Sequence, residues 1–218
     1  RCNLKCIHCY SQSKDIEYPN ELTTKDAKAM LDDLADYGAP VILFSGGEPL
    51  MRPDLLELIG YAKEKGLRAV ISTNGTLITK EKALELKKFG LSYVGISLDG
   101  LKDTNDRFRG IPGAYDLALE GIRNCLATGI KVGLRFTINK RNAHDVAGIF
   151  QLIEKEKIPR VCFYHLVYSG RGSNLIEEDL SHEETRQVVD LIISKTKEAH
   201  DKGRMLEVLT VDNHADGP

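Results

Sequence analysis

The chain has 218 residues, 42% hydrophobic and 28% charged, with a formal net charge of −2, an ordinary balance for a folded domain. That near-neutral charge supplies no basic field for nucleic acid, no apolar run approaches the ~20 residues needed to cross a bilayer, and no signal-peptide pattern is present. Five cysteines, three of them within the first nine residues, are unlike a secreted disulfide framework and point to metal ligation in a cytoplasmic protein.

The chain opens on the cysteine run RCNLKCIHCY, without an initial methionine, and closes on VDNHADGP; it reads as a fragment cut on both sides. A first helix is predicted from Ala27, Met30, Leu31 and Leu34, spaced for one helical face, with Thr23 and Asp26 at capping-box spacing before it. A strand follows at 41–45 (VILFS), then a helix carrying Leu55, Leu58, Ile59 and Ala62. Strands at 68–73 (RAVIST) and 93–98 (YVGISL) come next, and a further strand at 131–137 (KVGLRFT). Val146, Ile149, Phe150 and Ile153 mark another helix, followed by a strand at 161–167 (VCFYHLV). A glycine-bearing loop, 167–181, with its acidic EED read as a solvated turn, leads to a last helix near 183–200, where Ser181 and Glu184 repeat the capping-box spacing. Gly38, Gly66, Gly90 and Gly129 stand where the first four helices should stop.

Near-continuous apolar strands suit a parallel sheet covered on both faces, and regular βα alternation implies an α/β fold, either an open doubly wound sheet or a barrel. Five strands are visible. A strand feeding the cysteine loop is expected before Arg1, largely missing from this chain.

Cys2, Cys6 and Cys9 present three thiolates from one loop, a donor set that suits zinc or an iron–sulfur cluster. A structural zinc would need a fourth ligand, and His8 is the neighbouring candidate, although adjacent residues rarely point at one metal. Cys125 and Cys162 fall in a predicted helix and strand, as buried thiols do. Three ligands on a four-iron cluster leave one iron open, and an open position favours chemistry over structure.

The run CNLKCIHC resembles the cluster loop of radical S-adenosylmethionine (radical SAM) enzymes, and the later motifs agree in order. The resemblance implies a partial (β/α)6 TIM-like barrel over residues 1–200, its first strand largely missing, with 201–218 opening a truncated C-terminal extension. It implies that Cys2, Cys6 and Cys9 bind a [4Fe–4S] cluster whose open iron is chelated by the methionine end of S-adenosyl-L-methionine. Reduction then cleaves the sulfonium to a 5′-deoxyadenosyl radical in anaerobic chemistry, with flavodoxin or ferredoxin as electron donor.

The supporting motifs sit at predicted strand ends, the rim where a barrel keeps its chemistry. In SGGEP (45–49), Gly46 and Gly47 permit close backbone approach, Pro49 stiffens the exit and Glu48 offers a negative acceptor; the resemblance assigns this stretch to the methionine ammonium. STNG (72–75) and SLDG (97–100) supply Thr73, Asn74, Ser97 and Asp99, which the resemblance assigns to the ribose and carboxylate of the cofactor or to facing the substrate, with tight-turn chemistry as the alternative for Asn74 and Asp99. NDRFRG (105–110) resembles a segment of relatives with extra clusters; Arg107 or Arg109 could meet a carboxylate or simply solvate a loop. Arg135, inside a strand, needs an anion, for which the cofactor carboxylate is available. Leu166 resembles the position whose backbone contacts adenine, and His165 is a substrate ligand or a core histidine.

SLDG, FYHLVYSGRG and VDNHADG most resemble the haem-biosynthesis branch, which implies a tetrapyrrole substrate. The reaction expected is removal of acetate side chains from a siroheme-derived ring, a 12,18-didecarboxysiroheme deacetylase activity, with Arg171 and His214 as candidates to hold carboxylates. The alternative is a peptide or protein maturase of the SPASM/Twitch type; an auxiliary Fe–S cluster would in either case lie on cysteines past Pro218. Two readings from other classes stand beside these: a non-catalytic zinc module on Cys2, Cys6, Cys9 and His8, and a nucleotide-binding domain, which would lack a G-x-G-x-x-G after any strand.

Overall fold

The computed structural model describes residues 1–211. Its elements are, in chain order, α1 (Thr24–Asp36), β1 (Val41–Phe44), α2 (Leu55–Glu64), β2 (Arg68–Thr73), α3 (Lys80–Phe89), β3 (Tyr93–Ser97), α4 (Asp103–Arg109), α5 (Ala114–Ala127), β4 (Lys131–Thr137), α6 (Val146–Glu156), β5 (Arg160–Tyr164), α7 (His182–Asp201) and β6 (Glu207–Val211). The fold is α/β, with parallel strands alternating with helices. By its contacts the chain divides into two compact units: one of Arg1–Leu4, Ser13–Ile96 and Leu117–Val132, the other of Lys5–Gln12, Ser97–Asp116 and the chain from Gly133.

In the first unit, β1 pairs in parallel with β2 from Val41↔Arg68 to Phe44↔Ile71, and β2 with β3 from Val70↔Tyr93 to Thr73↔Ile96. Helix α1 starts where Thr23 Oγ1 accepts the Asp26 N–H and the Asp26 carboxylate accepts the Thr23 N–H, the reciprocal box expected from the sequence. Ala27 and Leu31 are buried as expected, whereas Met30 is exposed. All four apolar residues marking α2 are buried. Helix α3 ends on Gly90, whose φ of +100° is the left-handed conformation that closes a helix without a Cβ penalty. Strand β1 departs from the expected double cover: Val41 and Leu43 are exposed, and within this unit the strand has one ladder, to β2.

In the second unit, β4 pairs with β5 from Gly133↔Arg160 to Thr137↔Tyr164. Strand β6, which sequence reading had absorbed into a C-terminal extension, pairs in parallel with β5 from Arg160↔Glu207 to Tyr164↔Val211. Its core is aromatic: the Phe163 ring lies 5.8 Å from Phe136, edge-on, and 5.7 Å from Phe150, stacked. Helix α7 begins at the Ser181–Glu184 capping box. Helix α4 was not expected; seven residues long, it buries Phe108 and Arg109 and carries no apolar stripe to announce it.

Candidate functional site

In the first unit, the start of the cysteine run is laid against the loop after β1. Glu48 N–H donates to Arg1 O at 2.8 Å, and Cys2 N–H donates to Lys14 O at 3.0 Å. A Cβ on Gly47 would lie 2.1 Å from Arg1 O and 3.1 Å from Cys2 Cβ, so this approach requires glycine. Glu48, 3% exposed, joins the ends of two strands. One of its oxygens accepts the Thr73 hydroxyl at 2.6 Å and Leu50 N–H at 3.1 Å; the other accepts Asn74 N–H at 2.8 Å. Asn74 Nδ2 then donates to Asn3 Oδ1 at 2.8 Å, and Asn3 Nδ2 to Thr76 Oγ1 at 2.9 Å. Glu48, Thr73, Asn74, Asn3 and Thr76 are therefore parts of one hydrogen-bonded arrangement, and Gly47 packs closely against Arg1 and Cys2 beside it. A cavity of about 460 Å³ beside it is bordered by Phe44, Ser45, Gly46, Glu48, Met51 and Arg52. Sequence reasoning missed Asn3 and Thr76, whose only signal was adjacency to Cys2 and to STNG.

In the second unit, the rest of the cysteine run adds to the end of α4. Lys5 N–H donates to Arg109 O at 3.1 Å and Ile7 N–H to Phe108 O at 2.9 Å, a strand-like pair of bonds. From the other side Arg171 donates its backbone N–H to Cys9 O at 2.8 Å and its Nε to Cys6 O at 2.7 Å. Cys6 is buried and Cys9 partly so. Arg109, the arginine left undecided in the sequence, is 8% exposed; Arg107 is the solvated one. Arg109 Nη1 donates to Cys6 Sγ at 3.6 Å, a length set by the size of sulfur, while Nη2 pairs with the Asp99 carboxylate.

Asp99 is fully buried, and each of its oxygens faces protein groups. Oδ1 accepts Thr137 N–H at 2.7 Å; Oδ2 faces Arg109 and, at 3.3 Å, His8 Nε2. Burial alone would push this carboxyl up, but Arg109, His8 and the Thr137 N–H together hold it down at about 2. The His8 ring also lies 5.2 Å from the Phe108 ring. His8 thus faces Asp99 through Nε2, while its Nδ1 is buried without a hydrogen-bond partner among the described residues.

Arg135 directs its Nε to the Tyr164 hydroxyl at 2.9 Å and stands over that ring at 4.9 Å. Its partner among the described residues is this phenol, which burial pushes up to about 12 despite the arginine. Ser97 is half-buried, Leu166 is buried, and His165 donates its backbone N–H to Val211 O. His214 lies outside the described residues.

Among the described residues no three His, Cys, Asp or Glu side chains are grouped to hold a single ion. A four-iron cluster makes a different demand, because each thiolate binds its own iron and the sulfurs surround a cube rather than meet at a point. The donor chemistry fits that group: Cys6 carries a soft sulfur that accepts from the Arg109 guanidinium, a cation suited to a thiolate ligand.

Residues 1–153 match the family model of the Radical SAM superfamily. Over all 218 residues the chain is 67% identical to the Fe-coproporphyrin III synthase of Methanosarcina barkeri, covering 100% of this chain and 55% of that protein. It is 44% identical over 217 residues to the pre-heme d1 synthase of Dinoroseobacter shibae, covering 99% of this chain and 54% of that one. The chain spans about half the length of these curated relatives. The crystal structure of Streptococcus suis SuiB bound to S-adenosylmethionine superposes with a TM-score of 0.82 at 21% identity, covering 98% of this chain and 48% of SuiB, a likeness of fold.

Proposed function

The chain belongs to the radical SAM superfamily, whose members use a [4Fe–4S] cluster with S-adenosyl-L-methionine, and from that premise we propose that it is the catalytic core of an enzyme of haem biosynthesis acting on an iron tetrapyrrole. The finer reading is removal of acetate side chains from 12,18-didecarboxysiroheme. The observation that carries it is the 67% identity, over the whole chain, to a protein named Fe-coproporphyrin III synthase.

In this reading Cys2, Cys6 and Cys9 hold the cluster. When bound, the cluster supplies the single electron that splits the sulfonium into methionine and a 5′-deoxyadenosyl radical. The chain's own residues do the rest. The Glu48 carboxylate, fixed by Thr73 and Asn74, keeps the Gly46–Gly47 backbone in place for the methionine end of the cofactor. Ser97, Arg135 and Leu166 are assigned to the carboxylate, ribose and adenine end. Asp99, whose oxygens face Arg109, His8 and Thr137, is assigned to positioning. Arg171, fixed to the cysteine loop through its Nε, is assigned to a propionate or acetate of the substrate. Flavodoxin or ferredoxin is the proposed donor.

The test is anaerobic incubation of the cluster-loaded protein with S-adenosylmethionine, a low-potential reductant and 12,18-didecarboxysiroheme, followed by mass spectrometry. Loss of the acetate groups as 5′-deoxyadenosine accumulates is the expected result. An unchanged tetrapyrrole mass under conditions that still yield 5′-deoxyadenosine would remove the deacetylation reading and leave other tetrapyrroles and peptide maturation to pursue.

A further inference from the structure

The second unit contains a chain of buried polar groups that reaches beyond the cluster ligand itself. It runs from the Cys6 sulfur to Arg109 and on to Asp99, with exposures of 7%, 8% and 0%. A guanidinium cannot give up its proton in a protein, so Arg109 keeps a full positive charge in this buried place. Charge buried in this way is tolerated only when it is paired and directed. Asp99 supplies both functions. Its Oδ1 is held by Thr137 N–H at 2.7 Å, its backbone N–H by Asn105 Oδ1 at 2.9 Å and its backbone oxygen by Asn142 Nδ2 at 3.0 Å. Gripped by that fixed carboxylate through Nη2, the guanidinium presents Nη1 to Cys6 Sγ at 3.6 Å. The backbone of Arg109 is tied to the same loop, because its carbonyl accepts Lys5 N–H. A Cβ on the next residue, Gly110, would lie 2.6 Å from Lys5 O. The guanidinium therefore has little freedom to leave the sulfur.

We propose that Arg109 is a positioning residue that sets the reduction potential of the three-cysteine cluster, donating to the Cys6 sulfur while Asp99 holds it there. This rests on the reading that Cys6 is a cluster ligand. Hydrogen bonds to ligand sulfurs and the net charge nearby are the protein's main controls over iron–sulfur potentials. Reduction adds a negative charge to the cluster and its thiolates, so a fixed positive charge at the sulfur favours the reduced form. Asp99, one layer further out, partly offsets that charge.

The two residues therefore make opposite predictions, and a merely structural role does not. The experiment is a redox titration of the cluster-loaded protein, followed by electron paramagnetic resonance, reading the signal that responds to added S-adenosylmethionine. Arg109→Met should lower the midpoint potential enough that, at the parent's midpoint, the ratio of reduced to oxidised cluster falls about tenfold, equivalent to ~59 mV for a one-electron couple. Arg109→Lys should shift it less in the same direction. Asp99→Asn should move the midpoint upward. Should Arg109→Met fail to load a cluster, Arg109→Lys and Asp99→Asn decide the matter. Variants that load the cluster and titrate with the parent, or that all move the same way, would overturn the proposal. A parent protein with no S-adenosylmethionine-responsive signal would instead overturn the cluster reading, and this inference with it.

Discussion

At the scale of single residues, two buried carboxylates stand out because their partners are so differently composed. Glu48 accepts from neutral donors, Thr73 Oγ1, Asn74 N–H and Leu50 N–H among them. Truncating it leaves those donors without their acceptor, and Glu48→Ala should cost about 1–3 kcal/mol in urea unfolding and weaken S-adenosylmethionine binding. Asp99 instead meets the charges and donors of Arg109, His8 and Thr137, which hold it at about 2, below its ordinary 3.8. A carboxylate depressed on folding contributes stability above its unfolded pKa and loses it as pH falls through the folded one. The stability contribution of Asp99 should be complete above about pH 4 and fade toward pH 2, a change on the order of 2–3 kcal/mol. Urea unfolding of the cluster-free protein across that range should show a slope that Asp99→Asn flattens. An equal slope in parent and variant would assign the acid sensitivity to other groups.

At the scale of elements, what the sequence made legible was whatever depends on neighbours within a turn or two. The capping boxes at Thr23 and Ser181, the buried stripe of α2 and the left-handed glycine after α3 were all readable because their physics is local. The same locality gives a prediction: Ser181→Ala should destabilise by about 1 kcal/mol, by loss of one orphan N–H partner at the start of α7. Ser181→Asp should restore most of it, with thermal unfolding by circular dichroism as the measurement. The unreadable parts depend on distant partners. Strand β6 has a half-exposed run of five residues and becomes a strand by pairing with β5, more than forty positions upstream. Helix α4 carries no apolar stripe because, of its buried residues Thr104, Asn105, Phe108 and Arg109, one alone is apolar, and Arg109 is buried by a partner, Asp99, that spacing does not reveal. The residue types at the site were visible from the motifs. That Asn3 and Thr76 join the Asn74 loop was not, since side-chain amides and hydroxyls carry no periodic signal.

At the scale of the whole molecule, the five cysteines divide by environment, and the division is testable in one experiment. Cys125 is fully buried in the last turn of α5, where burial pushes its thiol up to about 12 and disfavours the thiolate that iron needs. Cys162 is buried within β5. Cys6, in contrast, has a guanidinium at its sulfur, and Cys2 and Cys9 are only partly covered. The thiolates fit for a cluster are therefore those of the opening run. After anaerobic reconstitution, Cys2→Ala, Cys6→Ala and Cys9→Ala should each lose the S-adenosylmethionine-responsive paramagnetic signal and form no 5′-deoxyadenosine. Cys125→Ala and Cys162→Ala should keep both, at some expense in stability because each opens a small cavity. A zinc module would behave differently, remaining colourless and binding zinc in proportion to intact protein. A nucleotide-binding domain without redox chemistry would keep its activity through all five substitutions. Cleavage that survives Cys6→Ala in full would dismiss the cluster assignment, because a cluster left with two protein ligands lacks the coordination that the reaction requires.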